Sequence, residues 1–141
     1  MKRRAGALVF LAGLLVWGCS VVAQSVDEET LLTKASVLTK LAGYVESAVR
    51  FKQAPDGLSE PELLRYSTQH DPDILDAFRG YAVRVRRMGN YSSVLLCTED
   101  RTVALIEDAG CTARSDAHLW ERVPRVACEF QLKLEEVCGT Q

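Results

Sequence analysis

The sequence predicts an α+β domain. A long amphipathic N-terminal helix and two short helices pack on a three- to four-stranded antiparallel β-meander stapled by disulfides. Three observations predict it. Apolar residues between Ser25 and Phe51 recur at steps of four and three, which is the period of one helix face. From Tyr81 to Cys111 the period switches to two and is broken by two turn clusters, giving three short strands. Four cysteines, Cys97, Cys111, Cys128 and Cys138, follow an apolar leader, and an even count in that context reads as a disulfide framework.

The leader is an address. Lys2, Arg3 and Arg4 are basic, Ala5 to Trp17 is apolar, and Val21-Val22-Ala23 supplies the small residues of a cleavage site. The apolar run is shorter than the roughly 20 residues a spanning helix needs, and polar QSVDEET follows at once. Residues 1–23 are therefore expected to be a cleaved signal peptide, with no transmembrane segment after processing. A second route ends at Cys19. Val16-Trp17-Gly18-Cys19 resembles a lipoprotein signal with Cys19 lipidated, but Trp17 departs from the small or β-branched residue usual there. Cleavage after Ala23 is preferred.

Cleavage leaves residues 24–141, a single domain of 118 residues with a modest core. It removes three of the 17 Lys and Arg and none of the 19 Asp and Glu, so the mature net charge is −5. An acidic chain argues against nucleic acid, whose affinity rests on neutralised phosphates, and against an anionic membrane surface. The cysteine spacings contain no C-x-x-C pair, so disulfides in an oxidising compartment are favoured over a metal site or free thiols.

The elements follow in order. Leu31, Ala35, Leu38, Ala42, Val45 and Val49 form the helix stripe, which Leu41, Ala48 and Phe51 widen. Ser25 and Glu28 form a capping box, and Gly43 either weakens the helix or allows close packing. The stripe is expected to pack on the protein's own sheet rather than on a partner helix. Gln53 to Gly57 carries turn chemistry. Ser59 caps a short helix with Glu62 as its reciprocal partner, ending near Thr68. Asp71-Pro72 opens a third helix with Asp71 as N-cap, and Gly80 closes it.

Tyr81, Val83 and Val85 alternate with Arg84 and Arg86, and Met88-Gly89-Asn90 makes the first turn. Val94 to Cys97 is apolar on both faces, as suits a central strand covered by helices on one side and the tail on the other. Thr98 to Arg101 turns the chain, and Thr102 to Glu107 returns as a third strand. Thr112 to Pro124 is polar and irregular, with Leu119 and Trp120 as its anchor. The tail reads as a strand, because Cys128, Phe130, Leu132 and Leu134 alternate with polar residues; a helical set also exists. The sequence-local pairing Cys97–Cys111 and Cys128–Cys138 is expected. It requires the loop after Ile106 to fold back, since six strand residues span about 20 Å. If the loop does not, a crossed pairing tying the tail to the sheet replaces it.

Chemistry is sparse. His118 with Asp116 and Ser115 sketches a hydrolytic site, but three groups in one loop rarely converge. His70 is better explained by the helix start at Asp71. Glu107 and Asp108 are adjacent in a strand and point to opposite faces. No calcium loop is present. Arg84, Arg86 and Arg87, with Arg79 and Arg101 nearby, offer an interaction face for an anionic partner, against the simpler reading of a solvated strand that discourages edge pairing. Asn90-Tyr91-Ser92 is a glycosylation sequon.

The expected function is that of a noncatalytic exported protein, bacterial and periplasmic by the style of its leader or else secreted, acting as a binding module. Its expected partner is a protein or an anionic envelope component, and no catalytic residue, metal or cofactor is assigned. The rivals are a small exported hydrolase using His118, and an inhibitor of an extracellular hydrolase using the loop 112–124. Anchoring through Cys19 is the alternative localisation.

Overall fold

The computed structural model describes residues 28–112 and 126–139. Helix α1 (Glu28–Glu46) passes into a π-helical turn (Ser47–Phe51). Helix α2 (Glu60–Ser67) and a 3-10 helix (Pro72–Phe78) follow, then strands β1 (Tyr81–Met88), β2 (Tyr91–Thr98) and β3 (Ala104–Ala109), and a last short helix α3 (Leu134–Cys138). The leader 1–23 with Cys19, the Ser25 cap, Leu119, Trp120 and the Ser115, Asp116, His118 group lie outside the described residues.

The stripe on α1 is buried as its period requires: Ala35, Leu38, Leu41, Ala42, Val45, Ala48 and Val49 all face the core. Phe51 does not, and is 72 % exposed. The π-turn explains the difference. Lys52 N–H donates to the Ser47 carbonyl (2.9 Å), five residues back. The extra residue in that turn offsets the helical phase by about 100° and swings Phe51 out of the stripe. Gly43 lies on the exposed side with open space around its Cα, so close packing is not its role.

Ser59 starts α2 as expected: its N–H (2.9 Å) and hydroxyl (2.6 Å) both donate to the Glu62 carboxylate. These bonds, hydroxyl first, hold the Glu62 carboxyl below the usual carboxylate range. Asp71 departs from expectation. It makes no side-chain cap, and the segment it opens is 3-10 rather than α. Its carboxylate is taken instead by Lys40 Nζ and Tyr44 Oη of α1, each at 2.9 Å.

The sheet is an antiparallel meander with β2 in the middle. Met88 pairs with Tyr91 across Gly89-Asn90. Gly89 has φ 59°, the sign a type II′ turn needs at its first central residue. In the second turn Asp100 Oδ1 accepts from the Thr98 hydroxyl (2.5 Å), the Thr102 hydroxyl (2.8 Å) and the Thr102 N–H (3.1 Å). Thr102 is thus spent on the turn, and β3 starts two residues later than the pattern suggests. Residues 92 to 97 of β2 are buried without interruption. Val94 and Leu96 pack with Val85 and Ile106 against α1. Leu95 and Cys97 face the other way, with Ala82, Ala104, Cys128 and Phe130. Gly110 lets the end of β3 approach α1: a Cβ there would lie 2.5 Å from Glu46 Cβ and 2.7 Å from the Ala42 carbonyl oxygen.

The disulfides are crossed, Cys97–Cys128 and Cys111–Cys138, each with Cα atoms 5.7 Å apart. The sequence-local pairing fails for the geometric reason foreseen. Cys97 pairs with Ala104 in the ladder, and β3 then carries the chain about 20 Å away before Cys111. The tail runs alongside β3 and reaches both cysteines, Ala104 N–H donating to the Val126 carbonyl at its near end (3.0 Å). The tail is not a strand: residues 126–133 join no ladder, and Leu134–Cys138 is helical.

Candidate functional site

The three arginines of β1 do not share one face. Arg84 and Arg86 point to the tail side of the sheet, as their spacing of two requires. Arg84 Nη2 and Nε meet Glu60 at the start of α2 (2.6 and 3.2 Å), and Nη1 donates to the Cys128 carbonyl (2.8 Å). The Glu60 hydrogen bonds raise the Arg84 pKa against a smaller desolvation cost. Arg86 Nη2 donates to the Leu132 carbonyl (2.7 Å) and lies 3.4 Å from Glu107. The Phe130 ring stacks on both guanidinium groups, 5.1 Å from Arg84 and 4.7 Å from Arg86. Arg87 lies on the opposite side, donating to the carbonyls of Ala54 (2.8 Å) and Pro55 (3.3 Å) and pairing with Asp56 (3.0 Å).

These arginines therefore hold the chain together. Arg84 and Arg86 clamp the tail, and Arg87 clamps the loop after the π-turn. Glu107 completes the grip: its buried Oε2 accepts the Gln131 N–H (2.6 Å) and the Leu132 N–H (3.0 Å). Asp108, its neighbour in sequence, faces α1 and accepts from the Thr39 hydroxyl (2.6 Å). The two carboxylates diverge, as adjacent strand residues must, and do not form an acid/base pair. His70 is exposed and outside the cleft described next.

That cleft opens between α2, β1, the second turn and the tail. Its volume is about 570 Å3, and Glu60, Pro61, Leu64, Val83, Arg84 and Arg101 line it beside Cys128. Each lining residue has a local reason to be there. Pro61 sits in the first turn of α2, where its missing N–H costs nothing. Leu64 follows the buried Leu63 on the same helix. Arg101 is set by the Asp100 turn, with φ 59°. Glu60 and Arg84 neutralise one another at the wall. Arg101 is exposed and makes no ion pair with any described residue. The lining combines three apolar side chains with one unpaired cation. Among the described lining residues there is no hydroxyl, free thiol or imidazole, since Cys128 is in a disulfide. Such a surface can hold a ligand that joins an apolar body to an anionic end.

The sequence pointed to Arg84 and Arg86 but missed what they touch. Glu60 lies 24 residues away from Arg84, and the tail carbonyls carry no side-chain signal at all. Among the described residues no group of three or more His, Cys, Asp and Glu is placed to hold a metal ion, and no helix is long and apolar enough to cross a membrane. Comparison with protein-family models, curated proteins and solved structures finds no match to this chain.

Proposed function

We propose that this chain is an exported, noncatalytic binding module, periplasmic or secreted, which takes an anionic ligand with an apolar body in the cleft between α2, β1 and the tail. One observation carries the ligand class: Glu60 and Arg84 satisfy each other at the cleft wall, so Arg101 is the charge left over beside Pro61, Leu64 and Val83. Two disulfides and the leader pattern of residues 1–23 support the oxidising compartment.

The test is a titration of the oxidised mature chain with dansylated hydrophobic tripeptides ending in a free carboxylate or in an amide. Saturable binding of the carboxylate series is expected, weakened at least about tenfold by Arg101→Glu or by the amide, and unchanged by His118→Ala. Equal binding to Arg101→Glu would remove the cleft from the reading. Turnover of the peptide that disappears in His118→Ala would replace the module with a hydrolase. Intact mass of the protein from its own compartment checks export: a chain beginning at Gln24 with two disulfides is expected. A lipid on Cys19 would move it to an anchored form.

A further inference from the structure

A second surface, sharing no residue with the cleft lining, is built at the end of α1. Phe51 is the most exposed large hydrophobic side chain of the described residues. Its exposure is a product of the backbone, because the π-turn takes it out of the buried stripe. π-helical turns are rare and are frequently found at functional sites.

The ring also meets a side chain that is tied to the sheet. Ser92 Oγ, buried in the sheet, donates to Glu46 Oε2 (3.0 Å). Glu46 Oε1 accepts from Arg50 Nη1 (3.4 Å), and the Arg50 guanidinium stacks 5.7 Å from the Phe51 ring. The following backbone is pinned as well: Ala54 N–H donates to the Ala48 carbonyl (2.9 Å), and Tyr66 Oη donates to the Lys52 carbonyl (3.3 Å). A chain of contacts thus runs from the sheet to an aromatic ring standing in solvent. A side chain carried on a pinned backbone loses less freedom on binding than one on a loose loop. Aromatic and arginine side chains are the commonest anchors of protein interfaces.

We infer that Phe51, flanked by Arg50 and Lys52, is the anchor of a protein-docking surface, whose partner offers an apolar pocket rimmed by carboxylates. Charge selects the partner. Lys52 is exposed and makes no ion pair with a described residue, and Arg50 keeps half its side chain exposed while bonded to Glu46. A flat anionic lipid surface fits less well, because the mature chain carries a net charge of −5. One ring with two cations is also a small footprint, suited to a pocket.

The test uses the full disulfide-bonded chain. Random peptides displayed on phage are selected on wild type with counter-selection on Phe51→Ala, and the enriched peptides are synthesised and titrated. The expected peptides combine Asp or Glu with a large apolar residue. They should bind Phe51→Ala at least about tenfold more weakly and Lys52→Glu several-fold more weakly, and bind Arg101→Glu as well as wild type. Thermal melts of the variants should match wild type, since the ring is exposed. Enriched peptides without acidic residues, or equal binding to Phe51→Ala, would overturn the proposal. So would Phe51-dependent binding to phosphatidylglycerol vesicles in place of peptides, or a Phe51-dependent dimer in sedimentation.

Discussion

The two faces of β2 are held in different ways. On one face Val94 and Leu96 meet a helix with a regular apolar stripe, and Leu38, Leu41 and Val45 are fully enclosed against them. That contact is a conventional apolar core. On the other face no described element carries such a stripe. That face is covered by residues 126–133 and the short α3, whose packed apolar side chains are Cys128, Phe130, Leu132, Leu134, Val137 and Cys138 in two small clusters. There the gap is filled by two disulfides, two arginines and a buried glutamate. A regular amphipathic helix holds a sheet mainly by buried area, with the Thr39–Asp108 and Ser92–Glu46 hydrogen bonds added to it. A tail that is extended over residues 126–133 and helical for only five residues must be fastened at discrete points.

The largest effect should come from the helix face. Leu96→Ala removes a fully buried side chain and should cost about 2–5 kcal/mol, seen as a lower denaturant midpoint with helix and sheet signals lost together. On the tail face, the double replacement Cys97→Ala with Cys128→Ala should cost about 2–4 kcal/mol and act differently. The far-ultraviolet spectrum should persist, while amides of residues 126–133 exchange faster. If α1 amides lose protection to the same extent, the two faces form one cooperative unit and the contrast between them fails.

A smaller change tests the polar fastening by itself. Glu107→Gln leaves the shape of the side chain but weakens its two backbone hydrogen bonds and its pairing with Arg86. A cost of about 1.5–3 kcal/mol is expected, the range of hydrogen bonds to charged groups. Faster exchange should appear first at Leu132 and Gln131. Unchanged exchange at those amides would show that the disulfides alone hold the tail.

The same division decides what the sequence reveals. The helix face was readable because it rests on periods: α1 announces itself by apolar steps of three and four, and β1 by its alternation. Phe51 escaped because one extra residue in a turn changes phase without changing composition. The tail escaped for a different reason. Cys128, Phe130, Leu132 and Leu134 alternate like a strand, yet the N–H groups of Gln131 and Leu132 go to a side-chain carboxylate rather than to a neighbouring strand. The crossed disulfides were foreshadowed by strand length, whereas cysteine spacing pointed to the local pairs. In the candidate site, Arg84 was visible as a repeated charge, but its bonds to Glu60 and to the Cys128 carbonyl exist only in three dimensions.

The smallest expected effect lies outside both faces, at Asp71, and it separates enclosed charges from exposed ones. Lys40, first, and Tyr44 hold its carboxyl below the ordinary aspartate range. A carboxyl whose folded pKa is depressed adds stability that is fully present above its unfolded value, about 3.9, and is lost as pH falls through the folded value. Asp71→Asn should therefore make the stability curve shallower below about pH 4, with only a slight loss at neutral pH, where exposed pairs are screened. Unfolding midpoints measured across the acid range, with and without added salt, check this. Lys40 has the opposite sign, since Asp71 raises its pKa: its contribution is present below its unfolded value and lost at alkaline pH. If Asp71→Asn instead destabilises the neutral protein as much as Glu107→Gln does, the partly exposed Asp71 cluster is as structural as the tail clamp, and exposure is not what distinguishes them.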